Sequence, residues 1–250
     1  MTFPLITAHT GCMNTPANSL VSLEAGIAAG ADVLEVDVAA TKEPVAVLQH
    51  DLVVELADRG RFKLTEIGFE ELKNCDIIDS HGGGVSRITP LAEILPIVKR
   101  SGKLLNLDLK DDACIAPTFE LVISEDMLDQ VFCSGAESRR AAYLQQHYPQ
   151  LKKLLNASEQ LFLLHESDYM EAVRVTCEDA LASCCFGINI KYTLCRPELI
   201  AHAASLGLPV YVWTVNDADE MKRMMELGVA SITTKNVPAL AEILKSRVPE

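Results

Sequence analysis

Short apolar runs alternate along this chain with longer segments in which apolar residues recur every three to four positions. The runs at residues 5–8, 33–38, 45–49, 104–109, 131–133, 153–155, 187–190, 210–214 and 231–233 read as strands. The periodic segments at 18–29, 91–99, 136–146, 169–182, 197–205, 218–226 and 238–245 read as helices, the first capped by Ser19. Gly207 and Gly228 follow two of the late helices, each just ahead of the next strand, as helix-stop glycines do. Repeated βα units of this kind predict parallel strands with helical crossovers. The longest irregular stretch runs over 51–89 and carries His81-Gly82-Gly83-Gly84, with room for a short helix at 69–74.

Nine strands are one too many for an eight-stranded barrel. Only about six residues separate the second run from the third, and a parallel crossover needs roughly a dozen. These two runs therefore predict an antiparallel hairpin turning near Lys42-Glu43, which would put His50 opposite Glu35. Without the returning arm, eight parallel strands remain. The expected fold is an α/β TIM barrel, (β/α)8, with a short hairpin after strand 2. Residues 1–250 are expected to form a single domain with an irregular insertion at about 51–89.

Composition supports that architecture. A chain of 250 residues that is 49% hydrophobic suits one barrel, and 5% aromatic content predicts branched aliphatic layers inside it. The net charge of −13 opposes nucleic acid and anionic membrane as partners, so an anionic substrate needs a local cation or backbone amides to hold it. Eight cysteines without a Cys-x-x-Cys, several in apolar contexts, read as free thiols in a reducing compartment. The start lacks a basic signal-peptide region and no apolar run is long enough to span a bilayer, so a cytoplasmic location is expected.

The polar residues that interrupt the strands carry the chemistry. Glu35 and Asp37 share one face of strand 2 because strand side chains repeat every two residues. Asn106, Asp108 and Lys110 share a face of a later strand, His9 ends strand 1, and His50 ends the hairpin arm. In a parallel barrel the site lies at the carboxyl ends of the strands. Three carboxylates meeting there call for a cation, and oxygen ligands favour Mg²⁺ or Ca²⁺. Glu35, Asp37 and Asp108 are the expected metal ligands, Lys110 the stabiliser of transition-state charge, and His9 and His50 the proton carriers. Trp213, the single tryptophan, is a candidate wall of the substrate pocket.

These motifs resemble the glycerophosphodiester phosphodiesterase family, whose barrel is of the phospholipase-C-like phosphodiesterase type. His9-Thr10-Gly11 stands for the family's His-Arg-Gly, and Pro16-Ala17-Asn18-Ser19 for its Pro-Glu-Asn-Thr. Glu35-Val36-Asp37-Val38, His50-Asp51, Asp108-Leu109-Lys110, Thr89-Pro90-Leu91 and Trp213-Thr214-Val215-Asn216 follow in the family's order. The resemblance implies a metal-dependent phosphoric diester hydrolase of lipid metabolism. It would act on a small glycerophosphodiester-like molecule and release an alcohol and a phosphomonoester. Thr10 replaces an arginine that in the family contacts phosphate, which marks Thr10 as a substrate-binding position with weaker hold on phosphate. Ala17 replaces a glutamate that supports the metal, and Asp108 is one methylene shorter than the usual ligand. Two alternatives follow: a lyase forming a cyclic phosphate, or a non-catalytic binding protein.

Overall fold

The computed structural model describes residues 3–78 and 84–247, so His81 of the glycine loop lies outside the described residues. In chain order, β1 is Leu5–Ala8, α1 Leu20–Ala28, β2 Val33–Ala40, β3 Ala46–Leu48, β4 Val53–Leu56, β5 Gly60–Lys63, α2 Phe69–Leu72, β6 Ile77–Ile78, β7 Val85–Ser86 and β8 Thr89–Pro90. Then come α3 Leu91–Ser101, β9 Leu104–Leu109, α4 Ile115–Ser124, β10 Val131–Ser134, α5 Ser138–His147, β11 Lys152–Asn156, α6 Glu159–Leu164 and α7 Tyr169–Ala182. The chain continues through β12 Gly187–Lys191, α8 Pro197–Ser205, β13 Val210–Trp213, α9 Ala218–Leu227, β14 Ser231–Thr234 and α10 Val237–Lys245.

Eight of these strands close a parallel barrel in the order β1-β14-β13-β12-β11-β10-β9-β2, with β1 and β2 pairing to shut it. This is the predicted TIM barrel. Each strand buries one face against the helices, where Leu34, Val36, Leu105, Leu107, Ile188, Ile190 and Val212 join the main core. Ser19 caps α1 by accepting from the Ser22 N–H, as its place before the periodic segment predicts.

The barrel interior differs from the expected aliphatic layers. Its lower part is closed by Val33, Phe132 and Leu154, with Leu5, Leu104, Phe186 and Tyr211 packed on them. The rings of Phe132, Phe186 and Tyr211 meet edge to face with centroids 5.5–6.1 Å apart. Composition counts aromatics without saying where they gather. Above this plug the inward positions are polar: Thr7, Glu35, Asn106, Ser134, Asn156, Asn189 and Thr233. A dry floor beneath a polar mouth confines chemistry to the carboxyl ends of the strands.

The hairpin after β2 forms with a shifted register. Val38 faces Leu48, Ala39 faces Val47 and Ala40 faces Ala46. Extending that pairing puts Gln49, not His50, beside Asp37, and the Gln49 N–H donates to the Asp37 carbonyl at 3.1 Å. The predicted Glu35–His50 pairing is therefore off by one residue, which in a continuous ladder would turn the side chain to the other face. The ladder stops at Leu48, so His50 lies in the turn beyond it and still reaches the mouth.

The stretch from 51 to 89 is more ordered than its sequence pattern suggests. It contains a four-stranded antiparallel sheet in the order β5-β4-β6-β7. Val54, Leu56, Leu64, Ile67, Leu72, Cys75, Ile77 and Ile88 form a small core that rests on Ala39 and Val47 of the β2–β3 hairpin. Strands of two to four residues carry too little alternation to stand out in a sequence. Helix α6, with only six residues, escapes the sequence reading. All eight cysteines are free, and seven are buried.

Candidate active site

The mouth of the barrel holds a cavity of about 360 Å³, within the range of small-molecule sites. His9, Glu35, Asp37, His50, Asp108, Lys110 and Trp213 all line it, so seven of the eight residues singled out from the sequence meet there. Parallel register explains the convergence of the acids. Asp37 lies directly beside Asp108 on the neighbouring strand, and Glu35 beside Asn106.

Glu35, Asp37 and Asp108 each offer an oxygen within 4.8 Å of the others, and Glu35 and Asp37 are buried. Burial first, then the charges of Asp37 and Asp108, push the Glu35 carboxyl well above the usual carboxylate range. Lys110 lies across the other two acids, with Nζ 2.8 Å from Asp37 Oδ1 and also bonded to Asp108 Oδ2. Burial opposes the ammonium, but Asp108 and Asp37 hold its pKa above the ordinary value. One lysine leaves three clustered carboxylates with excess negative charge. An all-oxygen donor set in a partly buried mouth fits a hard divalent cation such as Mg²⁺ or Ca²⁺.

Each ligand candidate is held by a neighbour. The Thr10 N–H donates to Glu35 Oε2 at 3.0 Å. Asn18 Nδ2 donates to Asp37 Oδ2 at 2.9 Å, and the Asp37 N–H returns a 3.0 Å bond to Asn18 Oδ1. Ser134 Oγ donates to Asp108 Oδ1 at 2.7 Å. Such outer contacts orient metal ligands and tune them. Sequence reasoning missed Ser134 and gave Asn18 no role beyond its motif.

Thr10 is the one singled-out residue that does not line the cavity. Its hydroxyl accepts from the Asn18 N–H at 2.5 Å, and the residue is 4% exposed. The side chain is turned toward the loop that carries Asn18.

The two histidines sit in unlike surroundings. His9 Nδ1 lies 2.6 Å from the Thr10 carbonyl, an acceptor only, so Nδ1 carries the proton and Nε2 is left as a base. Burial lowers the His9 pKa and favours this neutral form. His50 is more than half exposed, with Asp51 Oδ1 2.8 Å from its Nδ1.

Arg140 ties the loops behind the site together. Its Nη1 donates to the Leu109 carbonyl at 2.6 Å and its Nε to Asp112 Oδ1 at 2.8 Å. It also bonds the Gly135 carbonyl, so the ends of β9 and β10 share one anchor. On the far wall Asn156 Oδ1 accepts from the Gly135 N–H at 3.0 Å and from Asn189 Nδ2 at 3.2 Å. No described helix is long and apolar enough to cross a membrane.

Known proteins are similar to this chain over nearly its whole length. A glycerophosphodiester phosphodiesterase from Caldanaerobacter subterraneus subsp. tengcongensis is 25% identical over 96% of this chain and 98% of its own length. One from Bacillus altitudinis is 25% identical over 92% and 93%. Among solved structures, a glycerophosphodiester phosphodiesterase from Thermotoga maritima superposes with a TM-score of 0.76 at 17% identity, covering 97% of this chain and 99% of that one. An Oleispira antarctica phosphodiesterase in complex with the product sn-glycerol-3-phosphate gives 0.76 at 19%, covering 97% of each. Residues 9–239, which span the whole constellation from His9 to the end of the barrel, match the glycerophosphoryl diester phosphodiesterase family, and the chain belongs to that family.

Proposed function

We propose that this protein hydrolyses glycerophosphodiesters to an alcohol and a phosphomonoester, with Mg²⁺ or Ca²⁺ held by Glu35, Asp37 and Asp108. The observation that carries the proposal is the cluster of those three carboxylates at the barrel mouth, two of them paired with Lys110, with His9 and His50 lining the same cavity. When bound, the divalent ion supplies a Lewis acid and a counter-charge for the phosphoryl oxygens.

The protein's own groups divide the remaining work. Neutral His9, its Nδ1–H fixed by the Thr10 carbonyl, uses Nε2 to take the proton of the attacking water. The water oxygen bonds to phosphorus as the bond to the alcohol oxygen breaks. His50, oriented through Nδ1 by Asp51, gives its Nε2 proton to the departing alcohol. Lys110 stabilises the charge that grows on the phosphoryl oxygens. Trp213 walls the side of the cavity away from the acids. Thr10 acts one step back: it holds Asn18, which holds Asp37, and makes no contact with phosphate itself. A cytoplasmic role in turning over lipid-derived phosphodiesters suits a chain with eight free thiols.

The test is direct. Purified protein is incubated with Mg²⁺ or Ca²⁺ and a panel of glycerophosphodiesters, and products are read by phosphorus NMR, with Glu35→Gln and His50→Ala as controls. Release of a phosphomonoester that needs both residues supports the assignment. A cyclic phosphate product, or no turnover with either metal, overturns it.

A further inference from the structure

Among the described residues, three buried side-chain polar atoms lack a hydrogen-bond partner: Asn106 Oδ1, Trp213 Nε1 and Thr118 Oγ1. The first two belong to residues that line the active-site cavity, while Thr118 lies in α4. Asn106 is only 6% exposed. Leaving such an acceptor unpaired costs about 1–3 kcal/mol. The other cavity amides are not in this condition, since Asn156 Oδ1 accepts from both Asn189 Nδ2 and the Gly135 N–H.

We infer that the Asn106 carboxamide recognises a hydroxyl on the alcohol portion of the substrate, with Trp213 Nε1 as the matching donor on the opposite wall. The placement carries this. Register puts Asn106 beside Glu35 and two residues below Asp108 on the same strand, so it lies at the foot of the acidic cluster. The aromatic plug of Phe132, Phe186 and Tyr211 closes the barrel below it. Whatever satisfies Asn106 must therefore enter through the mouth together with the group bound at the carboxylates. A carboxamide oxygen needs a donor and the indole N–H needs an acceptor; a hydroxyl can serve as either, so the hydroxyls of one polyol supply both. A quaternary ammonium supplies neither, and an ester oxygen only accepts. The chemistry selected is a phosphodiester of a polyhydroxy alcohol, with its hydroxyl-bearing end directed inward. The same O–H donor could instead be a water held by the divalent ion, and the test separates the two sources.

The inference rests on the phosphodiesterase reading above. Calorimetric titration of wild type, Asn106→Leu and Asn106→Ala is done with sn-glycerol 3-phosphate in Mg²⁺, with inorganic phosphate in Mg²⁺, and with Mg²⁺ alone. Metal-free melting temperatures are recorded in parallel. The expected result is about tenfold weaker binding of glycerol 3-phosphate by both variants, the equivalent of about 1.4 kcal/mol. Inorganic phosphate and Mg²⁺ binding stay at wild-type values and the metal-free melts do not fall, because Asn106 has no protein partner to lose and Leu removes a stranded acceptor. A tenfold loss of Mg²⁺ affinity in both variants, with melts that do not fall, also supports Asn106 as an acceptor but assigns the donor to a metal-bound water. Equal binding of all three probes by wild type and variants overturns the inference alone. So does a metal-free melt lowered by several degrees in both variants, which marks Asn106 as structural. If wild type itself neither binds glycerol 3-phosphate nor turns over a phosphodiester, the functional reading fails and takes this inference with it.

Discussion

Asn18 grips Asp37 from both ends: its amide nitrogen donates to the carboxylate at 2.9 Å and its carbonyl oxygen accepts from the Asp37 backbone at 3.0 Å. Both residues are buried, and Asn18 holds a positive φ of 53° to make the contact. Asparagine is among the few residues with a side chain that tolerate this backbone region. The loop after β1 is thereby fastened to the middle of β2.

This clamp should be worth a large part of the metal site. Asn18→Ala is expected to weaken divalent-ion affinity and kcat/KM by about 10- to 100-fold, the usual cost of removing a group that orients a ligand. Asn18→Asp should lose as much, since it sets a second carboxylate against Asp37. Calorimetry with Mg²⁺ measures the first effect without substrate. Wild-type metal binding in both variants would show that Asp37 needs no such support.

Thr10 stands where the family has a phosphate-binding arginine, and reintroducing that arginine is the obvious attempt to raise activity. The structure argues against success. The Thr10 hydroxyl bonds the Asn18 N–H inside a position that is 4% exposed. An arginine cannot occupy that space without moving Asn18 and, through it, Asp37. Thr10→Arg should therefore lower kcat/KM, while Thr10→Ser, which keeps the hydroxyl, should stay within about threefold of wild type. Thr10→Val should lose about 1–3 kcal/mol of stability by stranding a buried N–H. Steady-state kinetics on the three variants and their melts decide the matter; a gain of activity in Thr10→Arg would place the phosphate beside residue 10 after all.

The contrast between Thr10 and Glu35 shows what a sequence exposes and what it hides. Glu35 and Asp37 stand out because acids at i and i+2 in an apolar strand must share a face, and that face proved to be the barrel mouth. The barrel itself was legible for the same reason, through strand and helix periods that repeat around it. Where a side chain turns at the end of a strand is not periodic, so nothing in His9-Thr10-Gly11 says that the hydroxyl bends back to Asn18. The hairpin register slipped by one residue because the reading centred a tight turn on Lys42-Glu43, whereas Thr41 and Val45 are themselves hydrogen-bonded across it. Asn106, Ser134, Asn156 and Asn189 were readable as inward positions once the strands were paired. Sequence alone gave no reason to prefer them over other polar residues.

Lys110 joins Asp37 and Asp108, and its loss should make the fold depend on metal. Lys110→Met leaves two neighbouring carboxylates without their cation; breaking a buried pair costs about 3–5 kcal/mol. Because Lys110 is 19% exposed, the lower end is expected, about 3 kcal/mol. For a chain of this length that is a drop of roughly 6–12 °C in the metal-free melting temperature. Divalent ion at a hundredfold excess over Kd returns about 2.7 kcal/mol. Melting curves with and without Mg²⁺ should thus differ more in Lys110→Met than in wild type, while turnover is lost in either case. A variant that melts like wild type without metal would mean that the two acids are neutralised by protonation.

Gly135 should prove essential to the site for a steric reason that its neighbours make specific. It has φ of +74°, and a Cβ there would lie 2.7 Å from the Leu109 nitrogen and 2.9 Å from Asp108 Oδ1. Gly228 has the same backbone handedness, φ +82°, but a Cβ would meet nothing within 4 Å. Alanine at either position carries the left-handed strain of about 1–2 kcal/mol. Only at 135 does the new methyl press on Asp108, a proposed metal ligand, and on the strand end that carries it. Gly135→Ala is therefore expected to lower kcat/KM more than tenfold, with weaker Mg²⁺ binding. Gly228→Ala should melt a few degrees below wild type yet keep wild-type kcat/KM. Equal activity in the two variants would mean that Asp108 tolerates displacement, and the metal site would then rest on Glu35 and Asp37 alone.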